Sequence, residues 1–215
     1  MSNRHPAGEF VKLFPSDEIP RIIQDIMLAC QSLQRERSAE LENQLSYRLY
    51  KKIIFTPEYR LGPLTVVPLW ECPVVNYTED ESEIRGRADI LFQYPGGGLE
   101  TYFLVEAKRL FVASRNGRID KLTGKYIDEG MMRFVTGQYA SRMVSGAMLG
   151  YIFDKPIEDA ETSLAAAIKV KREKLKIAKH GNWQESSLSV TPPVNETRHE
   201  CSQGIFTLFH ILTKV

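Results

Sequence analysis

The amino-acid sequence predicts an α/β fold, with a mixed central β-sheet flanked by helices. Three observations predict it. Two N-terminal stretches repeat apolar residues at three- and four-residue steps, the spacing of helices packed on one side. From Leu64 onward the period shortens, and brief apolar runs appear between prolines and glycines, as strands do. Helical and strand patterns then alternate toward the C-terminus, which places helices over a sheet. With 215 residues, 43% hydrophobic and 26% charged, the chain has a globular composition and the length for one sizeable core.

Residues 1–16 read as an arm. Residues 17–34 read as a helix, with Ile22, Ile26, Ala29 and Leu33 as its stripe. Pro20 falls in its first turn, where the missing N–H costs nothing. Residues 38–54 form a second helix, with Leu41, Leu45, Leu49 and Ile53 in register and Pro57 beyond its end. Residues 64–75 are β-rich, and Pro68 and Pro73 mark an edge strand or a bulge. An acidic loop spans 78–83. Residues 87–94 and 101–110 are strands, joined by Pro95-Gly96-Gly97-Gly98 into a hairpin. A polar loop covers 114–127. Residues 128–145 read as a helix with Met132, Val135, Tyr139 and Met143 inward, followed by a buried strand at 147–153. Pro156 opens a helix to residue 179, and the basic residues crowding its end suit the helix dipole. A long loop over 180–203 and a strand at 205–212 close the chain. The expected organisation is one domain over 1–215: arm and helix to 37, a core from 38 to 153, then a C-terminal helix, loop and strand.

Composition narrows the functional classes. The formal net charge is +1, which argues against a free-standing protein that grips nucleic acid by bulk charge. A local basic cleft, or delivery by a partner, remains compatible. Cys30, Cys72 and Cys201 are few and widely spaced, so neither a disulfide framework nor a zinc site is expected. No apolar run is long enough to span a membrane, residues 1–12 lack a signal-peptide core, and a cytoplasmic location is expected. Nucleophile-elbow, dinucleotide and metalloprotease motifs do not occur, and Gly96-Gly97-Gly98 lacks the lysine of a phosphate loop. His180, His199 and His210 are dispersed, and His210, within the last strand, reads as a satisfied core histidine.

The chemistry concentrates between Gly86 and Leu110. Asp89 interrupts one apolar strand, and Glu106 and Lys108 interrupt the next. Charges inside such strands are costly unless paired or bound to a metal. Side chains alternate along a strand, so Glu106 and Lys108 share one face while Val105 and Ala107 take the other. Across the hairpin, Asp89 falls near Glu106. Two convergent carboxylates suit Mg²⁺, which takes hard oxygen ligands and keeps several waters. Plainer readings exist beside this one. Asp89 can pair with Arg87, Glu106 and Lys108 can form a surface pair, and Glu42 can sit on a solvated helix face.

The arrangement Asp89…Glu106-Ala107-Lys108 resembles the signature of the PD-(D/E)XK nuclease superfamily, whose fold is called restriction-endonuclease-like. Ala88 stands where that signature has proline. The resemblance covers roughly residues 38–153 and implies metal-dependent hydrolysis of phosphodiester bonds in DNA, in a prokaryotic defence or restriction setting. It implies that Asp89 and Glu106 hold Mg²⁺ or Mn²⁺, that Lys108 assists the attack, and that Glu42 on the first core helix binds metal directly or through water, with Glu40 as the competing choice. It also implies that Gln138 and Tyr139, on the helix after the triplet, support the site, although Tyr139 also reads as core. Arg109, Arg115 and Lys121 follow the triplet and are the candidate phosphate contacts, against a solvated-loop reading. A homodimer or partner subunit would supply specificity. The competing function is a non-catalytic or partner-activated subunit that uses the same fold to bind or scaffold.

Overall fold

The computed structural model describes residues 14–38, 40–71, 86–95 and 101–215, with backbone alone for 69–71. The two N-terminal stripes fold as helices α1 (Glu18–Gln31) and α2 (Glu42–Ile54), followed by a short α3 (Pro57–Leu61). Ile19, Ile22, Ile23, Ile26 and Cys30 line the buried side of α1, and Leu45, Ser46, Leu49 and Ile53 that of α2. Helix α2 starts four residues later than its stripe predicts. Glu40 is drawn out of the helix to accept from the Glu36 amide at 2.7 Å and from Arg48 Nη2 at 2.7 Å.

The sheet follows. Strands β1 (Thr65–Glu71), β2 (Arg87–Gln93) and β3 (Tyr102–Leu110) form an antiparallel meander. The acidic loop, Pro73, Cys72 and the glycines of the 95–98 turn lie outside the described residues. Beyond β3 come a two-residue pair, β4 (Val112–Ala113) with β5 (Ile119–Asp120), and a helical turn α4 (Thr123–Lys125). A π-helical turn (Tyr126–Met131) leads into α5 (Met132–Val135). Then come β6 (Ser145–Ile152), α6 (Ile157–Val170), β7 (Gln184–Glu185), β8 (Asn195–Cys201) and β9 (Gly204–Lys214). The seven-stranded sheet runs β1-β2-β3-β6-β9-β8-β7. The β3–β6 and β6–β9 pairs are parallel, and the remaining pairs are antiparallel. Helices α1, α2 and α6, with the π-helical turn, pack on this mixed sheet. One buried apolar cluster draws on all of them, from Ile19 through Phe103 and Leu149 to Ile211.

Three expectations need correction. The helix placed at 128–145 begins at Thr123 and ends at Val135. Gly137 at φ 74° and Ala140 at φ 51° take left-handed backbone that no helix continues through. Helix α6 stops at Val170, and the basic stretch after it is a series of turns that reverses at Lys176, φ 50°. The loop expected at 180–203 contains β8, paired along its whole length with β9. Among the described residues, no helix is long and apolar enough to cross a membrane.

Strand β8 is polar because its inward residues belong to a hydrogen-bonded chain. His199 Nδ1 lies 2.7 Å from the Leu175 carbonyl, which can only accept, so that nitrogen carries the proton. His199 Nε2 then accepts from Thr197 Oγ1 at 2.8 Å, and Thr197 accepts from His210 Nε2 at 2.9 Å. His210 Nδ1 in turn accepts from the Tyr126 hydroxyl at 2.9 Å. His210 is thus a satisfied core histidine, its ring centre 4.6 Å from that of Trp183 at a tilt of 34°. Burial pushes His199 down to about 4 and His210 well below its usual range. Both stay neutral when folded and charge when unfolded, so the unfolded chain binds more protons below about pH 6.5. Their contribution to stability is therefore lost as pH falls from about 6.5 toward 4. Urea unfolding of wild type and His199→Gln should show the wild type's advantage shrinking across that window. A constant difference would mean that His199 does not titrate between the two states.

Candidate active site

Register brings the acidic residues together. Ile90 pairs with Val105 and Leu91 with Leu104, so one step further along the ladder Asp89 faces Glu106. There the strands part, and Asp89 Oδ2 accepts from the Ala107 amide at 2.8 Å in place of a main-chain partner. On the other side β3 pairs with β6, Glu106 opposite Met148 and Lys108 opposite Gly150. The β3 backbone around Glu106 and Lys108 is thereby held from both sides.

Asp89, Glu106 and Lys108 are all buried, with exposures of 7%, 1% and 5%. Lys108 Nζ donates to Glu106 Oε1 at 2.6 Å and to the Ala107 carbonyl at 3.0 Å. It also lies 3.5 Å from Glu42 Oε1, while Glu42 Oε2 accepts weakly from the Arg109 amide at 3.4 Å. Glu42 is the first residue of α2, and it belongs to the site where Glu40 does not. Glu40 is occupied by Arg48 and the Glu36 amide. Glu106 Oε1 receives a second donor, Arg133 Nη1, at 2.9 Å. Glu106 Oε2 is buried and has no donor.

The site opens into a cleft of ≈ 330 Å³ walled by Leu41, Glu42, Asn43, Arg87, Asp89, Glu106, Lys108, Arg109 and Arg133. Its electrostatics follow from burial. Desolvation pushes Asp89 up to about 6 against the pull of the Ala107 amide and Lys108. Desolvation and the neighbouring Asp89 push Glu106 up to about 8 against Lys108 and Arg133. Burial pulls the Lys108 ammonium down, but Glu106 and Glu42 outweigh it and the net shift is upward. Burial therefore favours the protonated form of both carboxyls, beside a lysine whose charge the acids favour.

The chain matches no family model, no curated protein and no solved structure. The site is read from its own geometry. Among the described residues, no group of three or more His, Cys, Asp or Glu is arranged to hold a metal ion. What the cleft offers a cation is a pair of hard-oxygen donors, Asp89 and Glu106, one of them with an orphaned oxygen. That fits Mg²⁺ held by one or two carboxylates and several waters. Both oxygens of Glu42 face cations or donors already present, so its geometry is that of a partner to Lys108.

The other expected residues divide. Gln138 and Tyr139 lie in the turns after α5 and not on a helix, because the chain reverses at Gly137. They still back the site. A Cβ on Gly86 would come within 2.8 Å of the Tyr139 ring and 2.9 Å of Gln138 Nε2, so these side chains pack on the chain entering β2. Tyr139 is fully buried, and its hydroxyl accepts from Arg133 Nη1 at 2.5 Å. Arg109 lines the cleft, with Nη1 donating to the Glu40 carbonyl at 3.0 Å. Arg115 and Lys121 do not line it; they are exposed beside the β4–β5 pair, where the short hairpin carries them outward. Sequence reasoning missed Arg133, which lies one residue off the apolar stripe of its helix. The only available signal was a cation on the segment that follows the triplet. The π-helical turn supports this corner. A Cβ on Gly130 would lie 2.4 Å from the Met148 methyl and 3.6 Å from Lys108 Cγ, so glycine lets the turn press on the lysine stem.

Proposed function

We propose that the protein is a metal-dependent nuclease of the PD-(D/E)XK type that hydrolyses phosphodiester bonds in DNA, in a prokaryotic defence or restriction setting. The observation that carries this reading is the Glu106–Lys108 ion pair, buried beside Asp89 at the floor of an open cleft. Burying two acids and a lysine together is expensive for stability alone, and such clusters mark functional sites. Asp89 and Glu106 would hold Mg²⁺ or Mn²⁺. The ion, when bound, lowers the pKa of an attacking water and neutralises phosphate charge. Lys108, steadied by Glu42, would orient that water or donate to a phosphate oxygen. Arg133, on the far side of Glu106, keeps that carboxylate in place and adds positive charge to the wall. Arg87 and Arg109 at the rim suit phosphate contacts.

The test is a cleavage assay on linear, supercoiled and single-stranded DNA with Mg²⁺, Mn²⁺ or EDTA. Metal-dependent cutting that disappears in folded Asp89→Ala supports the assignment. No cutting on any substrate favours the second reading, a partner-activated or non-catalytic subunit. One observation speaks for that reading: Glu106 Oε1 is already shared by two cations.

The metal leaves a pH signature. Burial favours the protonated form of both carboxyls while a cation binds the ionised form, so its affinity should rise with pH through the range from about 6 to about 8. Thermal unfolding should show a larger Mg²⁺-induced rise in Tm near pH 8 than near pH 5.5. An equal rise at both would remove these carboxylates from the binding site.

A further inference from the structure

We propose that the outer face of α2 is a track for single-stranded nucleic acid leading into the catalytic cleft. Leu41, Gln44, Tyr47, Lys51 and Phe55 follow one another at three- and four-residue steps, so they share one side of the helix. That side is left open: Leu41 is 50% exposed, Tyr47 45% and Phe55 68%. The stripe also joins three hollows. Leu41 lines the catalytic cleft, Gln44 and Tyr47 a hollow of ≈ 210 Å³, and Lys51 and Phe55 a groove of ≈ 680 Å³. Arg48 is common to the second and third.

The chemistry along this line is what an unpaired strand requires. Tyr47 is braced, with its ring stacked on Tyr50 at 6.0 Å and 29° and the Lys51 ammonium 5.1 Å from its centre. Arg48 and Arg35 are committed to Glu36, Glu40 and Asp154. Lys51 and Lys52 have no carboxylate partner among the described residues, so they are the cations available to phosphates. Exposed aromatic rings stack on bases that a duplex keeps covered, which selects single strands over double. A net charge of +1 gives no broad attractive field, and contact by stacking fits that restraint. The helix has 13 residues, about 20 Å of rise, matching roughly six stacked nucleotides. The role of the track as a feed to the cleft rests on the nuclease reading; its affinity for a strand does not.

The experiment separates the two. Binding of a short fluorescein-labelled single-stranded oligonucleotide is followed by anisotropy in EDTA, with its duplex as competitor, and cleavage is assayed separately with Mg²⁺. Tyr47→Ala and Phe55→Ala, both at exposed positions, should each weaken binding about tenfold. Lys51→Gln with Lys52→Gln should reduce the salt-dependence slope by about 1.4. Wild type that binds in this manner without cutting keeps the track and discards the nuclease. Wild type that cuts, with binding indifferent to these substitutions, keeps the nuclease and discards the track. Equal affinity for duplex overturns the proposal. So does a dimer in solution that Tyr47→Ala and Phe55→Ala disperse while strand binding is unchanged, since the face would then serve a second copy.

Discussion

Lys108→Ala is expected to lower metal-dependent cleavage by at least about 100-fold while leaving metal binding intact, because positioned proton-transfer and charge-stabilising groups contribute on that scale. The ammonium is 2.6 Å from Glu106 and 3.5 Å from Glu42. It donates and does not ligate, so its removal leaves Glu106 Oε1 with Arg133 as its one remaining donor and takes a positive charge away from the proposed metal position. The Mg²⁺-induced rise in Tm should therefore persist or grow in the variant. Circular dichroism and thermal unfolding establish that the fold is kept. Cleavage within a few-fold of wild type would show that the lysine serves only to neutralise buried acid. Parallel loss of cleavage and of the Mg²⁺ response would make its role structural.

Asp89→Asn is expected to move stability and activity in opposite directions. Burial holds the Asp89 carboxyl up to about 6, so the folded chain binds a proton that the unfolded chain has released. The sign follows: from about pH 4 to 6 the folded state binds more protons, stability declines as pH rises through that window, and the penalty is complete near pH 8. A shift of about 2 units corresponds to about 3 kcal/mol as an upper bound. Asparagine is isosteric and neutral, and its carbonyl can still accept from the Ala107 amide. Without metal near pH 8, the variant should gain about 1–2 kcal/mol, or roughly 2–8 °C in Tm for a chain of this size. With Mg²⁺ it should show neither cleavage nor a metal-induced rise. A variant less stable than wild type near pH 8 would mean that the Asp89 charge is well compensated in the fold and that no strain is stored there.

The centre of the site was legible because strand alternation and hairpin register are local rules. They require only that Asp89, Glu106 and Lys108 lie on adjacent strands, and the ladder at Ile90–Val105 delivers that. What failed were inferences resting on apolar spacing alone. Val135, Tyr139 and Met143 are buried as their spacing implied, yet only the first is helical. Turns around a left-handed glycine bury apolar residues as well as a helix does, and the spacing does not distinguish them. Strand β8 was invisible for the opposite reason. Its inward positions are Thr197 and His199, so the alternation exists but is written in hydrogen-bonding side chains. The part Arg133 plays depends on tertiary approach, which no period in the sequence records.

The position of β3 in the sheet has a consequence for the timescales of the site. Its backbone is bonded to β2 as far as Val105 and to β6 from Val105 to Leu110, with Asp89 sealing the amide at Ala107 where β2 departs. Amide protons from Val105 to Lys108 should exchange with solvent only through global unfolding, whereas the Arg109 amide, which donates weakly to Glu42, should exchange sooner. Glu42 sits at a helix end, and Arg133 follows a π-helical turn, where opening costs far less. Half of the site is thus as immobile as the protein's core, and the other half can breathe. Adjustment to an incoming ligand falls to Glu42 and Arg133, while Glu106 and Lys108 supply the fixed frame against which they move.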